Sequence, residues 1–198
     1  WWSLYQTTWF TVTSVRVVGN HIVPTDAIVK LAAVQGGVPL VSVPVSQISD
    51  ALAQLPQVEQ AQVERGWPHT VLITISERIP VAVAYRGNRY QSVDKNGVAA
   101  AQPVATAPKG LTVIAGKPGT TAMAAAVQVL QALPSEWNVT GLSAPTRDSV
   151  SVTLAHGEVI KFGSGEQADR KVQVAAALLA NKYRTIDVSA PEAPTVRP

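Results

Sequence analysis

The sequence predicts an α+β protein built from two modules that meet at Pro80. Three observations support this prediction. Apolar and polar side chains alternate over residues 71–76, as they do in a half-buried strand. Two stretches before residue 60 instead repeat apolar residues at helical spacing. At Pro80 the pattern changes, and because proline has no amide hydrogen and biases the preceding residue away from the helical region, strand pairing should stop there.

The first module, residues 11–80, should begin with a strand and a helix. β-Branched residues mark a strand over residues 12–18, and Gly19 and Asn20 close it with residues that tolerate positive φ. Thr25 can cap the helix that follows. The apolar stripe of this helix comprises Ile28, Leu31 and Ala32.

A second helix and a hairpin complete the first module. The helix begins after Pro44, with Ser46 as a plausible cap, and Pro56 stops it. The turn residues 66–69 then join two alternating segments into an antiparallel hairpin. The order strand, helix, helix, strand, strand predicts a three-stranded sheet with both helices on one face. The stripe of the second helix comprises Ile48, Leu52 and Leu55.

The second module, residues 81–189, should be a mostly antiparallel β domain with two helices. Strand-like residues 90–93 and 98–100 flank a turn whose Asn96-Gly97 pair is the strongest short hairpin signal. The first helix of the module should start near Thr120 or Thr121 and end at Pro134.

The hairpin around Gly157 has a predictable register. A three-residue loop with Gly157 in the left-handed conformation places Ile160 opposite Val152 and Phe162 opposite Val150, which keeps all four apolar side chains on one face.

A helix, a short strand and a tail should close the chain. Ser164 and Gln167 have the spacing of a capping box for this second helix. Residues 185–188 should form the final strand. Residues 190–198 contain three prolines and predict a disordered C-terminal tail.

Composition excludes several classes of function. The 198 residues include no cysteine, so disulfides and cysteine-based metal or nucleophile sites are impossible. The net charge is only +3. Residues 1–80 carry four bases and five acids and the remainder twelve bases and eight acids, which sum to the 16 and 13 of the chain. These bases are dispersed and not interleaved with aromatics, which is typical of a solvated surface and not of a nucleic-acid groove.

No catalytic or ligand-binding pattern emerges. His21, His69 and His156 lie in predicted turns without a second ligand at metal-binding spacing. The segment before Lys117 has the wrong spacing for a phosphate loop, and Ser164 lacks the flanking glycines of a nucleophile elbow. The sequence therefore predicts no enzyme, no cofactor, no metal and no small-molecule substrate.

The first ten residues form an aromatic segment. They contain three of the five tryptophans, and Trp and Tyr accumulate at membrane–water interfaces. One reading is the juxtamembrane flank of a transmembrane helix upstream of Trp1, and the other is an arm packed on the body of the protein. No stretch of the sequence reaches the roughly 18–20 apolar residues that span a bilayer.

One extended pattern resembles a known family. The pattern starts with Gly19-Asn20 after the first strand and continues with Arg65-x-Trp67-Pro68 and Glu77-Arg78-x-Pro80. It ends with Asp94-x-x-Gly97. Together these residues closely resemble the bacterial FtsQ/DivIB cell-division family, over residues 10 to about 190.

This resemblance implies a polypeptide-transport-associated (POTRA) domain over residues 11–80 and a β domain over residues 81–189. It also implies a non-enzymatic, single-pass membrane scaffold at the division septum, with both domains outside the cytoplasmic membrane. It favours the interfacial reading of residues 1–10. The implied partners are the small coiled-coil proteins FtsB (DivIC in some lineages) and FtsL, along with other divisome membrane proteins.

The resemblance places FtsB binding on the last strand of the β domain. This chain departs from some relatives there, because no aromatic anchors follow the strand. A strand with one neighbour leaves a free row of backbone groups that a partner strand can pair with. The alternative is that the tail folds back over this edge. The expected binding residues are Tyr183, Arg184, Thr185, Ile186, Asp187, Val188, Ser189 and Ala190.

Four further expectations accompany this interpretation. Bases near the edge should favour an acidic partner, namely Arg170, Lys171, Lys182 and Arg184. Trp67 should be a buried structural residue covering the end of the hairpin. Glu77 and Arg78 should pair with charges at the domain junction. The competing function is a POTRA module of an outer-membrane assembly or secretion factor, although residues 81–190 do not repeat the POTRA order.

Overall fold

The computed structural model describes residues 10–198. The expected juxtamembrane segment, residues 1–10, lies outside the described residues except for Phe10. The chain divides into two compact units between Arg78 and Ile79. Each unit has a separate hydrophobic core.

The N-terminal unit has the predicted order of strand, helix, helix, strand, strand. Its elements are β1 (Ser14–Val18), α1 (Thr25–Ala32), a 3-10 turn (Leu40–Ser42), α2 (Val45–Ala53), β2 (Val58–Gly66) and β3 (Thr70–Glu77). β3 is the central strand of the sheet. It pairs in parallel with β1 and antiparallel with β2.

Alternation along β3 builds the core of the N-terminal unit. Val71 and Ile73 are fully buried, whereas Thr74 and Ser76 are exposed. The buried face packs with the inward residues of α1 and α2, so both helices cover one face of the sheet as predicted. Leu31 was expected in the α1 stripe but is 42% exposed, because Ile28 and Ala32 define the inward face and Leu31 lies on its flank.

The C-terminal unit contains a single sheet and two helices. Its elements are β4 (Ala82–Arg86), β5 (Arg89–Val93), β6 (Thr112–Ala115), α3 (Thr121–Ala132), β7 (Val139–Ser143), β8 (Val150–Leu154), β9 (Val159–Gly163), α4 (Ala168–Leu179), β10 (Thr185–Asp187) and β11 (Thr195–Arg197). The strand order is β11-β10-β9-β8-β7-β6-β4-β5. Its core includes Ile114, Val127, Phe162 and Ile186, all fully buried.

The mostly antiparallel character of the β domain is confirmed. Four neighbouring pairs are antiparallel, namely β4–β5, β7–β8, β8–β9 and β10–β11. The other three, β4–β6, β6–β7 and β9–β10, are parallel. Because parallel neighbours require a crossover connection, α3 lies between β6 and β7 and α4 lies between β9 and β10.

Three predicted helix caps are wrong. Pro24 and Pro44 occupy the cap positions of α1 and α2, one residue before Thr25 and two before Ser46, and neither helix has a side-chain cap. α4 begins after Gln167, at φ 55°, again without a side-chain cap bond. The predicted Ser164 capping box is therefore absent. The predicted start of α3 near Thr120 or Thr121 is confirmed, and the Thr120 side chain caps this helix by accepting a hydrogen bond from the Met123 amide at 3.2 Å.

The hairpin register around Gly157 is half right. Gly157 has φ 91°, and Ile160 pairs with Val152 as predicted. Val150, however, pairs with Gly163 and not with Phe162, because the register shifts by one residue between Val150 and Ser151.

The expectation of a disordered tail is wrong. Residues 195–197 form β11, which pairs antiparallel with β10. β10 is therefore not the final strand of the sheet.

Candidate partner-binding edge

β10, the second strand from one end of the sheet, is held by burial and by pairing with β9. Ile186 and Val188 are fully buried. Val159 N donates a hydrogen bond to Arg184 O, and Val188 N donates one to Lys161 O, both at 2.9 Å. Both side-chain packing and the backbone therefore fix β10 in place.

The two sides of the β10 backbone can be assigned from these bonds. Backbone groups of alternate residues face opposite neighbours in a sheet. Since the carbonyl of Arg184 and the amide of Val188 bond to β9, the backbone of Ile186, which lies between them, faces β9 as well, and that of Thr185 and Asp187 faces the other side. That side is the expected partner-binding edge.

In this structure β11 occupies the expected edge. The register pairs Thr185 with Arg197, Ile186 with Val196 and Asp187 with Thr195. All three β11 residues are exposed. The alternative considered from the sequence, in which the tail folds back over the edge, is therefore the arrangement present in the structure.

The eight predicted binding residues form one continuous segment, but they differ in accessibility. Tyr183 is half-buried against the core, whereas Arg184, Ser189 and Ala190 are exposed. Asp187 does not point free into solvent, because its Oδ1 accepts hydrogen bonds from the amide and the hydroxyl of Ser189, at 3.0 and 2.6 Å. This side-chain turn ends β10.

The basic residues near the edge do not all face solvent. Arg170 pairs with Glu192 of the tail at 2.7 Å, and both side chains are more than half exposed, at 56% and 65%. Lys182 and Arg184 are exposed. Lys171 is only 3% exposed, so its expected role in attracting an acidic partner is wrong.

Lys171 instead ties α4 to the preceding loop. Its Nζ donates to Ser164 O at 2.9 Å and lies 3.3 Å from Ser164 Oγ. Burial lowers the pKa of Lys171, and the carboxylates of Glu166 and Asp148 only partly offset this effect. Ser164 therefore contacts α4 through Lys171 and not through the predicted capping box.

The motif residues at the end of the N-terminal sheet form one backbone clamp. The Glu77 carboxylate accepts hydrogen bonds from the amides of His21, Ile22 and Val23 at 2.7–2.9 Å. Burial alone would raise the pKa of Glu77, but these three amides and the charge of His21 hold it below its ordinary value. The expected charge pair at the domain junction is therefore not the role of Glu77, which stabilises the loop between β1 and α1.

Gly19 and Asn20 build the same loop. Gly19 has φ 84°, and a Cβ atom there would lie 2.2 Å from Ile75 O, so no other residue fits without displacement. The Asn20 side chain donates to Val23 O at 2.9 Å and to Thr25 Oγ1 at 3.0 Å. The motif thus fixes the backbone before α1 from both sides.

Arg65 performs a similar task for the turn before α2. Its Nε donates to Leu40 O at 3.0 Å and its Nη2 donates to Val43 O at 2.7 Å.

Trp67 is 55% exposed, so the expectation of a buried tryptophan is wrong. Its ring meets Phe10 edge-on at 5.5 Å, and its peptide bond to Pro68 is cis.

Asp94 and Gly97 shape the turn that packs on α3. Asp94 Oδ1 accepts from the amides of Asn96 and Val98, both at 2.9 Å. A Cβ atom on Gly97 would lie 2.8 Å from the Ala124 amide nitrogen, so the turn approaches the helix at a distance that only glycine permits. The return strand expected over residues 98–100 is reduced to one bridge, between Val93 and Ala99.

No metal-binding group emerges within residues 10–198, where the structure brings together no cluster of three or more histidine, aspartate or glutamate side chains. Nor does any helix in that range have both the length and the apolarity needed to cross a membrane.

Sequence reasoning missed two features. The first is β11, whose only signal is the β-branched pair Thr195-Val196 within a proline-rich tail. The second is the bond from Glu77 to the loop at residues 21–23, which a sequence cannot reveal because the partners are main-chain amides more than 50 residues away.

Two family models match the two units. The POTRA domain, FtsQ-type, matches residues 10–78, and the cell division protein FtsQ/DivIB C-terminal domain matches residues 82–189. A POTRA module followed by this β domain defines a class of bacterial cell-division proteins.

Curated relatives agree with the family models. The chain is 33% identical to the cell division protein FtsQ of Mycobacterium tuberculosis, over 98% of this chain and 63% of the relative. It is 35% identical to FtsQ of Mycobacterium leprae, over 98% and 58%, and 34% identical to FtsQ of Streptomyces venezuelae, over 98% and 76%. The chain belongs to the FtsQ/DivIB family. It spans about 60% of the length of the mycobacterial relatives that it matches.

The similar solved structures include the major extracytoplasmic domain of the cell-division protein DivIB from Geobacillus stearothermophilus, with 24% identity and a TM-score of 0.40 over 53% of this chain and 93% of that chain.

Proposed function

We propose that this chain is the extracytoplasmic part of a non-enzymatic divisome scaffold. A transmembrane helix upstream of Trp1 anchors it in the cytoplasmic membrane at the division septum. It binds FtsB-type (DivIC) and FtsL-type coiled-coil proteins and links early and late septum-assembly proteins. It binds no nucleic acid and no small-molecule substrate.

The observation that carries this proposal is the end of the C-terminal sheet. β10 is anchored on one side by β9, while its other side pairs with the three exposed residues of β11. Backbone pairing along such an edge supplies affinity, and side chains at alternate positions supply specificity. The exposed cations Arg170, Lys182 and Arg184 favour an acidic partner, chiefly through the association rate.

A proline substitution tests the proposal. Thr185 presents its backbone to the outer side of β10, whereas the Ser189 amide already donates to Asp187. Thr185→Pro is therefore the informative variant, and Thr185→Val is its control because it keeps the amide and the β-branched shape. Circular dichroism confirms that both variants fold, and calorimetry measures binding to the extracytoplasmic segment of an FtsB-type protein from the same organism.

We expect Thr185→Pro to lose binding and Thr185→Val to retain it. Wild-type affinity in a folded Thr185→Pro variant would exclude the edge mechanism. Failure of the wild-type chain to bind FtsB-type and FtsL-type segments would exclude the proposed scaffold role.

A further inference from the structure

The tail of the chain occupies the side of β10 on which the proposed partner would pair. We propose that residues 190–198 are a displaceable placeholder: β11 covers the β10 edge in the free protein, and an extended acidic segment of the partner replaces it. This inference rests on the proposed function, and it adds a regulation of the edge by the tail of the same chain.

The contacts that hold β11 are few. The ladder to β10 has three residue pairs, and Arg184 N adds a hydrogen bond to Arg197 O at 3.0 Å. Thr195, Val196 and Arg197 are all exposed, and even Val196, whose partner Ile186 is fully buried, remains 36% exposed. Opening the tail therefore breaks backbone bonds that water can replace and uncovers little apolar surface.

The connection between β10 and β11 is also weakly attached. The ion pair between Arg170 and Glu192 lies in solvent, where such pairs contribute little. Ala193 N donates to Ala190 O at 3.0 Å, which is a bond within the tail itself and survives opening. β10, by contrast, keeps its buried side chains and its pairing with β9 when the tail leaves. The edge is thus separable from its cover.

β11 also indicates what a replacement strand must offer. It runs antiparallel to β10 and places a β-branched apolar residue, Val196, opposite Ile186. The connection that precedes it carries an acid, Glu192, whose carboxylate accepts a hydrogen bond from Arg170. A partner segment that reproduces both features gains the same contacts. It can add more, because Lys182 and Arg184 are exposed beside the edge and the tail presents only one acid.

A covered edge lowers the apparent affinity of a partner in proportion to the fraction of molecules that are open. For so few exposed contacts we expect a factor of about ten, which corresponds to about 1.4 kcal/mol. The placeholder therefore raises the partner concentration that is needed for binding but does not prevent binding.

Two proline variants form a matched pair for the test. Because the backbone of Asp187 faces β11, the amide of its partner Thr195 faces β10, and the amide of the next residue, Val196, faces away. Thr195→Pro should release the tail, whereas Val196→Pro, only one residue away, should leave it in place. A third protein lacks residues 192–198. Hydrogen exchange at Thr185 and Asp187 reports directly on whether the edge is covered.

Binding is measured with the same FtsB-type extracytoplasmic segment. We expect the truncated protein and Thr195→Pro to bind about tenfold more tightly than the full chain and to exchange the Thr185 and Asp187 amides faster. Val196→Pro should match the full chain in both measurements.

Other outcomes would overturn the inference in distinguishable ways. Equal affinity of the truncated and full chains for the FtsB-type segment would refute the placeholder role of the tail but not the proposed partner. Weaker binding after truncation would make β11 part of the partner-binding surface. Absence of binding by every variant would refute the proposed partner, and the placeholder with it.

Discussion

Replacing Glu77 should destabilise the N-terminal unit through the loop between β1 and α1. Its carboxylate accepts hydrogen bonds from three consecutive amides, and Val23, whose amide donates the shortest of them at 2.7 Å, is a buried residue. A buried donor left without a partner costs about 1–3 kcal/mol. The exposed amides of His21 and Ile22 can bind water instead, so we expect Glu77→Ala to lower the free energy of unfolding by about 1–3 kcal/mol.

The assay is urea unfolding monitored by hydrogen exchange at residues in β3, because these residues report on the N-terminal unit alone. Glu64 offers a matched control, because it is an exposed carboxylate on the same sheet that accepts a hydrogen bond from the exposed side chain of Gln62 at 3.0 Å. Glu64→Ala should change stability by less than about 0.5 kcal/mol.

Lowering the pH should remove the contribution of Glu77 to the stability of the N-terminal unit. Its pKa is lower in the folded state than in the unfolded state, so its stabilisation is fully present above the unfolded value, about 4.3, and disappears as the pH falls through the folded value. Wild type and Glu77→Gln should therefore converge in stability on acidification. Equal stability at neutral pH, or a difference that does not shrink in acid, would refute this account of the clamp.

Three further predictions concern single side chains. Gly19→Ala should lower the free energy of unfolding by at least about 2 kcal/mol, because it combines strain at positive φ with a backbone clash. Gly37 also has a positive φ, 82°, but a Cβ atom there would meet nothing within 4 Å, so Gly37→Ala should cost about 1 kcal/mol. Thermal unfolding of the two variants measures the difference. Trp67→Ala should cost less than about 1.5 kcal/mol, against about 2–5 kcal/mol for the buried Leu52→Ala, and a larger loss at Trp67 would contradict its exposure. The stability of the wild type relative to Lys171→Met should increase as the pH rises from 7 towards 10, because Lys171 is then more fully protonated in the unfolded state than in the folded state. Chemical unfolding of both proteins across this pH range measures their difference in stability. A difference that stays constant or decreases would contradict the lowered pKa of Lys171.

The sequence predicted the elements that periodicity controls. Burial of Val71 and Ile73 follows from strict alternation, and the order of five elements in the N-terminal unit follows from apolar periodicity, prolines and turns. The position of β10 was also predictable, because Ile186 and Val188 are β-branched and apolar.

The sequence could not predict contacts made between distant main-chain groups. The partners of Glu77 and Arg65 are amides and carbonyls, which every residue type carries, so no pattern of side chains identifies them. Cap positions failed for a related reason, since Pro24 and Pro44 begin their helices through a preset φ and need no side-chain acceptor. β11 was missed because its prolines suggested disorder while its ladder needs only three residues.

The position of β3 in its sheet has a consequence for biosynthesis. β3 pairs with both β1 and β2, yet it is the last of the three to be translated. Until residues 70–74 have left the ribosome, β1 has no neighbour to pair with, and closing the sheet then joins residues 14–18 to residues 70–74 across the whole unit. A nascent chain interrupted inside β3 therefore leaves two unpaired strands and an uncovered helical face, so the N-terminal unit matures only once its synthesis is complete.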